Sequence, residues 1–266
     1  MQPLRLVQIT DTHLFGDPSE DLRGVLSLPT LNAVLGRAAA DIARADAVLV
    51  TGDIVQDDPT GYARFREAML PLGKPVLCIP GNHDLPSVLR RELARPPFVV
   101  GGHVDLQAWR IVLLDSVLQG AASGRLSPAE LQSLDQALGS EPERHALVCL
   151  HHHPVSMSSQ WLDQVGLENC DDFFAVIDRH PQVRAIVWGH VHQSAELERH
   201  GVRLLSTPST CAQFKPRAAR FELDHRPPGY RILELHADGS LRTEVLWLDS
   251  AGAQAASRSA FSCSAA

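Results

Sequence analysis

Short apolar runs alternate along this chain with stretches of helical periodicity. Leu4 to Ile9 has the pattern of a strand, and Leu31, Val34, Leu35, Ala38 and Ile42 then recur at helical spacing. Ala47 to Thr51 (AVLVT), Val76 to Ile79 (VLCI), Trp109 to Ser116 (WRIVLLDS), Ala146 to Leu150 and Val183 to Trp188 read as further buried strands. Between them the spacing predicts a helix over Tyr62 to Leu70 and another that includes Phe173 to Arg179. The segment SPAEL opens a helix at Ser127, with Ser127 as cap, Pro128 in the first turn and Glu130 closing a capping box. From Val202 onward the pattern becomes β-like, and Tyr230 to Leu248 predicts a hairpin turning at Asp238–Gly239. Strands alternating with helices predict a layered α/β protein with helices on the sheet faces. The late strands predict a second, partly antiparallel sheet.

Composition narrows the class. At 266 residues the chain can bury a large core without disulfides. The patterned part, 1–249, reads as a single catalytic domain, and 250–266, rich in small and polar residues, as a mobile tail. A net charge of −7 does not favour a nucleic acid polymer as partner, which argues against a repair nuclease. Five cysteines with no CxxC pair suit a reduced, cytoplasmic protein, with Cys78 and Cys149 as small core residues. The first residues show no leader pattern, and no stretch approaches the roughly 18 apolar residues of an integral membrane segment.

The informative residues follow the strands. After Ile9 comes TDTH, with Asp11 and His13; after Val50, TGDIV, with Asp53; after Ile79, PGNHD, with Asn82, His83 and Asp84. After Leu150 comes HHHP (His151, His152, His153, Pro154), and after Trp188, GHVH, with His190 and His192. Any one of these strings is ordinary turn chemistry. Five in succession, each at a strand end, predict convergence on the crevice where α/β sheets bind ligands. Oxygen and nitrogen donors without thiolate suit a metal such as Mn, Fe, Zn, Co or Ni. The set is too large for one ion, and Asp53, in its middle, is the natural bridging carboxylate between two. In DxH and HxH the alternate side chains share a direction if the backbone is extended. Gly52, Gly81 and Gly189 remove bulk where the chain must turn beside the ions. The other histidines (His103, His145, His180, His200, His225, His236) lie outside such settings and are assigned surface or structural roles. A metal-binding scaffold without catalysis is the reading from another class.

The strings DTH, GDIVQDD, GNHD, HHHP and GHVH resemble those of the calcineurin-like metallophosphoesterase superfamily, over roughly residues 4 to 245. More narrowly, HHHP followed by MSSQWLD, LLSTPSTCAQFKP and FELDHRPPGYRILELHADG look like the bacterial 3′,5′-cyclic AMP phosphodiesterases. The resemblance implies a four-layer α/β/β/α sandwich of two mixed sheets flanked by helices. It implies a first ion on Asp11, His13, Asp53 and His192, and a second on Asp53, Asn82, His152 and His190. His152 is chosen because it stands two residues before Pro154. The ions would be divalent, with Fe and Mn leading and Zn or Co also suitable.

His83 would be the catalytic histidine beside Asn82, and Asn82, His83, His153 and His190 would face substrate. The activity implied is conversion of 3′,5′-cyclic AMP to 5′-AMP by in-line attack of hydroxide generated at the metal pair, with His83 assisting the leaving 3′ oxygen. The alternative is a broad phosphodiesterase for 2′,3′-cyclic nucleotides, glycerophosphodiesters or nucleotide-linked lipids. The partner would be a small cyclic nucleotide, and the protein a monomer or homodimer. Asp84 would orient His83 or cap the following helix. Phe214, Tyr230 or Trp161 would stack on the base, and RPPGYR (Arg226 to Arg231) would cover the cleft or lie at a subunit contact.

Overall fold

Strand β1 (Leu4–Ile9) shows why the apolar runs are unbroken. Leu4 and Leu6 enter one core while Val7 and Ile9 enter another, because successive side chains point to opposite faces of a strand. A strand covered on both faces has no polar side to show. The computed structural model describes residues 2–249, so the expected tail lies outside the described residues.

After β1 come a small hairpin, β2 (Asp21–Leu22) and β3 (Val25–Leu26), then α1 (Ser27–Arg44), β4 (Ala47–Thr51), α2 (Gly61–Met69) and β5 (Val76–Ile79). Next are α3 (Pro86–Glu92), β6 (Phe98–Val100), β7 (Gly102–Leu106), β8 (Trp109–Leu113), α4 (Pro128–Gly139), β9 (His145–Cys149), α5 (Cys170–Ile177) and β10 (Val183–Trp188). The chain continues through β11 (Ala195–Arg199), β12 (Val202–Ser206), β13 (Gln213–Phe214), β14 (Leu223–Asp224), β15 (Gly229–Leu235) and β16 (Leu241–Trp247).

Two six-stranded mixed sheets result, in the orders β16-β15-β1-β4-β5-β6 and β11-β12-β10-β9-β8-β7. A core between them contains Leu6, Leu49, Leu77, Trp109, Ile111, Leu147 and Val187. On the far side of the first sheet, Val7, Val48 and Val50 pack on Leu31, Val34, Ala38, Tyr62 and Phe65 of α1 and α2. On the far side of the second, Val112, Val148 and Ile186 pack on Leu134, Leu138, Phe173 and Ile177 of α4 and α5. This is the four-layer sandwich expected. No helix among the described residues is long and apolar enough to cross a membrane.

Three details differ from the sequence reading. The late hairpin β15–β16 does not build the second sheet: β15 pairs antiparallel with β1, in register from Leu4↔Leu235 to Gln8↔Arg231. Ser127 Oγ accepts from Glu130 N at 3.1 Å, but Glu130 Oε1 turns away to accept from Asp115 N at 2.8 Å, so only half of the capping box forms. The end of RPPGYR does not cover the cleft. Arg231 is fully buried between the sheets, donating to Ser206 O at 2.8 Å, Thr207 Oγ1 at 3.2 Å and Glu196 Oε1 at 2.9 Å.

Candidate metal centre

The parallel strands β1, β4 and β5 of one sheet and β9 and β10 of the other end on the same rim, and each carries one of the five polar loops. The loops lace together through their backbones: Asp11 N donates to Gly52 O at 3.0 Å and His13 N to Asp53 O at 2.9 Å. The backbone here is not extended. Asp11, His13, Asp53, His190 and His192 have φ of 53°, 44°, 48°, 65° and 47°. These left-handed conformations, each costing about 1–2 kcal/mol, fold the side chains back on one another. The DxH and HxH donors therefore converge through turns at each residue, not through strand alternation. Two glycines permit the approach. A Cβ on Gly81 would lie 2.2 Å from Asp53 Oδ1, and one on Gly189 would lie 2.7 Å from Asp11 Oδ2.

Asp84 takes neither expected role. Its carboxylate accepts from Gly81 N (2.9 Å), Ile54 N (3.1 Å), Val55 N (3.2 Å) and Tyr62 Oη (3.0 Å), clamping two of the loops. Burial, with the Asp53 charge nearby, pushes it up to about 7.

The hydrogen-bond partners fix where the protons of the centre sit. His192 Nδ1 lies 2.7 Å from Ala212 O, an acceptor only, so it carries the proton and Nε2 keeps a lone pair. His13 Nδ1 meets Gln56 Oε1 at 2.7 Å, leaving its Nε2 bare as well. These two Nε2 atoms face each other at 3.0 Å, with Asp11 Oδ1 3.3 Å from one and Asp53 Oδ2 3.8 Å from the other. Four acceptors with no proton to share fit a cation.

A second cluster adjoins it. His151 Nδ1 donates to Thr51 O at 2.8 Å, and His151 Nε2 lies 3.4 Å from Asp53 Oδ2 and 3.2 Å from Asn82 Oδ1. Asp53 thus belongs to both clusters. The donor atoms of His151, His152 and His190 also lie within 4.8 Å of one another.

His152, the expected ligand, and His151 both reach this cluster. The His152 ring lies beside that of His190 (centroids 4.8 Å apart); its Nδ1 is 2.8 Å from Ser116 Oγ, and its Nε2 is buried without a protein partner. Strand parity brings His151 inward. Leu147 and Cys149 face the inter-sheet core and Leu150 faces the helices, so the next inward residue is His151. His153 stacks on the His190 ring (5.6 Å, 19°), a support for that ligand candidate, and is almost fully buried.

Charge in the centre follows from burial and pairing. Burial would raise Asp11 and Asp53, but His192 and His151 beside them hold both below the usual carboxylate range. Burial lowers His13 to about 4. Burial also pulls His151 down, but the Asp53 and Asp11 carboxylates outweigh it and bring it to about 9.

His83 lies beside His13 (ring centroids 5.4 Å apart), and its backbone N donates to Asp53 Oδ1 at 2.9 Å. Its Nδ1 is held by Gln56 Nε2 at 2.8 Å and Asp57 Oδ2 at 2.9 Å, and Nε2 has no partner among the described residues. Gln56 and Asp57 were missed as site residues. Both stand in GDIVQDD, where a polar pair after the ligand reads as loop.

Of the aromatic candidates, Phe214 stacks on His192 (3.9 Å, 5°), and Trp161 lies edge-on to Phe214 and to Phe221, which the sequence reading did not consider. Tyr230 is buried and donates to Asp41 Oδ2 at 2.8 Å, so it offers no stacking face.

A four-layer sandwich with two donor clusters around a shared carboxylate defines a dinuclear metallophosphoesterase. The chain belongs to the calcineurin-like phosphoesterase family, whose model matches residues 4–194. It is 44% identical over 244 residues to the 3′,5′-cyclic adenosine monophosphate phosphodiesterase CpdA of Haemophilus influenzae, covering 91% of this chain and 89% of that one. The Escherichia coli CpdA is 41% identical over the same shares of the two chains. Among solved structures, a dimetal phosphatase from Danio rerio superposes with a TM-score of 0.67 at 14% identity, over 94% of this chain and 100% of that one, a likeness of fold.

Proposed function

We propose that this protein is a phosphoric diester hydrolase that converts 3′,5′-cyclic AMP to 5′-AMP. The observation that carries the reading is the set of proton-free acceptors at Asp11, His13, Asp53 and His192, beside a second donor cluster that shares Asp53. The 41–44% identity to CpdA enzymes over nine-tenths of the chain supports the substrate. We assign Asp11, His13, Asp53 and His192 to one divalent ion. Asp53, Asn82, His152 and His190 are assigned to the other, with His151 packed between Asp53 and Asn82. Fe and Mn suit these oxygen and nitrogen donors. Bound there, the two cations supply Lewis-acid charge to the phosphodiester and make hydroxide available near neutral pH.

The chain's own residues do the rest. Asp53 fixes the spacing of the two clusters. Asn82 holds its carbonyl toward His151 and its neighbour His83 at the rim. His83, its Nδ1 held, presents Nε2 to the leaving 3′ oxygen and gives it a proton. A cleft of about 600 Å³ opens beside Asn82, lined in part by Arg90, Gln119, Arg125 and Ser127. That is room for a mononucleotide. Free thiols at Cys78, Cys149, Cys170 and Cys211 agree with a cytoplasmic setting.

The test is turnover of 3′,5′-cyclic AMP by metal-reconstituted protein, with products separated by chromatography, beside Asn82→Ala and His83→Ala. The parent should release 5′-AMP. Asn82→Ala should lose one ion, and His83→Ala should keep both but lose about 10²–10⁴ in rate. Faster turnover of 2′,3′-cyclic nucleotides or glycerophosphodiesters would replace this substrate with the broad one. Parent-like behaviour of both variants would refute the site.

A further inference from the structure

Gln56 makes contacts at both ends of its amide. Oε1 is 2.7 Å from His13 Nδ1, while Nε2 is 2.9 Å from Asp57 Oδ2 and 2.8 Å from His83 Nδ1. Asp57 decides which end is which. A carboxylate only accepts, so the amide nitrogen must face it. The carbonyl then faces His13, whose Nδ1 must carry the proton. His13 Nε2 is left with its lone pair toward Asp53 and His192.

At the other end, Gln56 Nε2, Asp57 Oδ2 and His83 Nδ1 form a triangle with sides of 2.8 to 2.9 Å. His83 Nδ1 either donates to Asp57 or accepts from Gln56. In both arrangements that nitrogen is engaged and only Nε2 is left for another partner. The backbone holds this geometry from two sides. Gln56 N donates to Leu14 O at 3.0 Å, next to His13, and Asp57 N donates to His83 O at 3.1 Å. Asp57 itself adopts a left-handed φ of 55°, which turns it back toward His83.

We infer that Gln56 is a two-ended positioning residue: its carbonyl fixes the proton of the metal-ligand candidate His13, and its amide N–H groups, with Asp57, hold His83 for the leaving group. One side-chain rotamer then sets both the donor state of the first cluster and the placement of the proton-giving histidine. The His83 half rests on the substrate reading given under Proposed function; the His13 half rests only on the metal assignment made there.

Two substitutions separate the ends. Gln56→Glu keeps an acceptor for His13 Nδ1 and loses the donors to Asp57 and His83. Gln56→Leu loses both. Apoprotein would be titrated with Mn²⁺ by calorimetry. Rates of the Mn²⁺-loaded forms would be compared on 3′,5′-cyclic AMP, which has an alkoxide leaving group, and on bis(4-nitrophenyl) phosphate, whose leaving group needs no proton.

Gln56→Leu should weaken one Mn²⁺ site by about 10–100-fold, as loss of a partner orienting a ligand histidine does. Gln56→Glu should bind Mn²⁺ as the parent does. Both should lower the ratio of the cyclic AMP rate to the aryl diester rate by about tenfold or more. Parent-like Mn²⁺ affinity and rate ratio in Gln56→Leu would overturn the inference. So would an equal fall of Mn²⁺ affinity in both variants with the rate ratio unchanged, the mark of general loosening. If the parent itself fails to turn over cyclic AMP, the substrate reading fails while the Mn²⁺ titration still decides the His13 half.

Discussion

Adding one methyl group at Gly81 tests how closely the loops must approach for the two clusters to share Asp53. A Cβ there would lie 2.2 Å from Asp53 Oδ1, 2.4 Å from Asp53 N and 2.7 Å from His151 Cε1. Ordinary contact begins near 3.4 Å, so the carboxylate would have to move by about 1.2 Å. Metal sites hold their ligand distances to about 0.2 Å, so Asp53 could not keep its place for both ions. Overpacking of this kind costs about 1–3 kcal/mol. If that strain is relieved by abandoning the bound geometry, metal affinity falls by roughly 5- to 150-fold.

Gly189→Ala is the companion variant. Its Cβ would overlap Thr10 Oγ1 at 2.1 Å and the ligand candidate Asp11 at Oδ2 (2.7 Å), and it would reach His151 only through Thr51 O at 2.9 Å. Calorimetric titration of apoprotein with Mn²⁺ should show Gly81→Ala weakened at both sites and Gly189→Ala weakened chiefly at one. Thermal unfolding of the two apoproteins tells whether the strain appears as lost stability instead. If Gly81→Ala binds two equivalents with parental affinity and its apoprotein melts with the parent, the shared-carboxylate geometry is wrong.

Three further outcomes are expected. His152→Ala should bind about one Mn²⁺ per chain and His151→Ala two, read by elemental analysis; the reverse would make His151 the ligand. Arg231→Met should lower the unfolding free energy by about 2–4 kcal/mol in denaturant melts, with metal content unchanged. The cost arises because the Ser206 carbonyl and Thr207 hydroxyl lose a buried charged donor. Tyr230→Phe should cost about 1 kcal/mol by removing the donor to Asp41. Burial would raise the Asp41 carboxyl, but the Tyr230 and Arg44 hydrogen bonds hold it below its ordinary 3.8. A depressed carboxyl stabilises above its unfolded value and loses that contribution as pH falls through the folded one. The parent–variant difference should therefore be flat from about pH 5 to 8 and shrink below about pH 4. A difference that grows toward acid would reverse the assignment.

The strands were legible because each is buried on both faces and so reads as an apolar run of its own length; β1, β4, β5 and β10 begin and end where the pattern places them. The short strands β6 and β7 escaped notice, since β7 is exposed or half-buried along its length and carries no apolar run. The inward turn of His151 could have been found by counting faces: its parity is that of Leu147 and Cys149.

By itself the sequence determined the layered α/β class, the five polar strand ends and the donor types they carry, because burial and side-chain chemistry are local properties. Only the tertiary structure decided which imidazole enters the inter-sheet space, which nitrogen of each bears the proton, and that Gln56 and Asp57, not Asp84, hold His83. It also decided that the last hairpin joins β1 at the edge of the first sheet. Those outcomes depend on hydrogen-bond partners up to about 230 residues apart. Strand pairing and left-handed turns bring such partners together, and no window along the chain contains both.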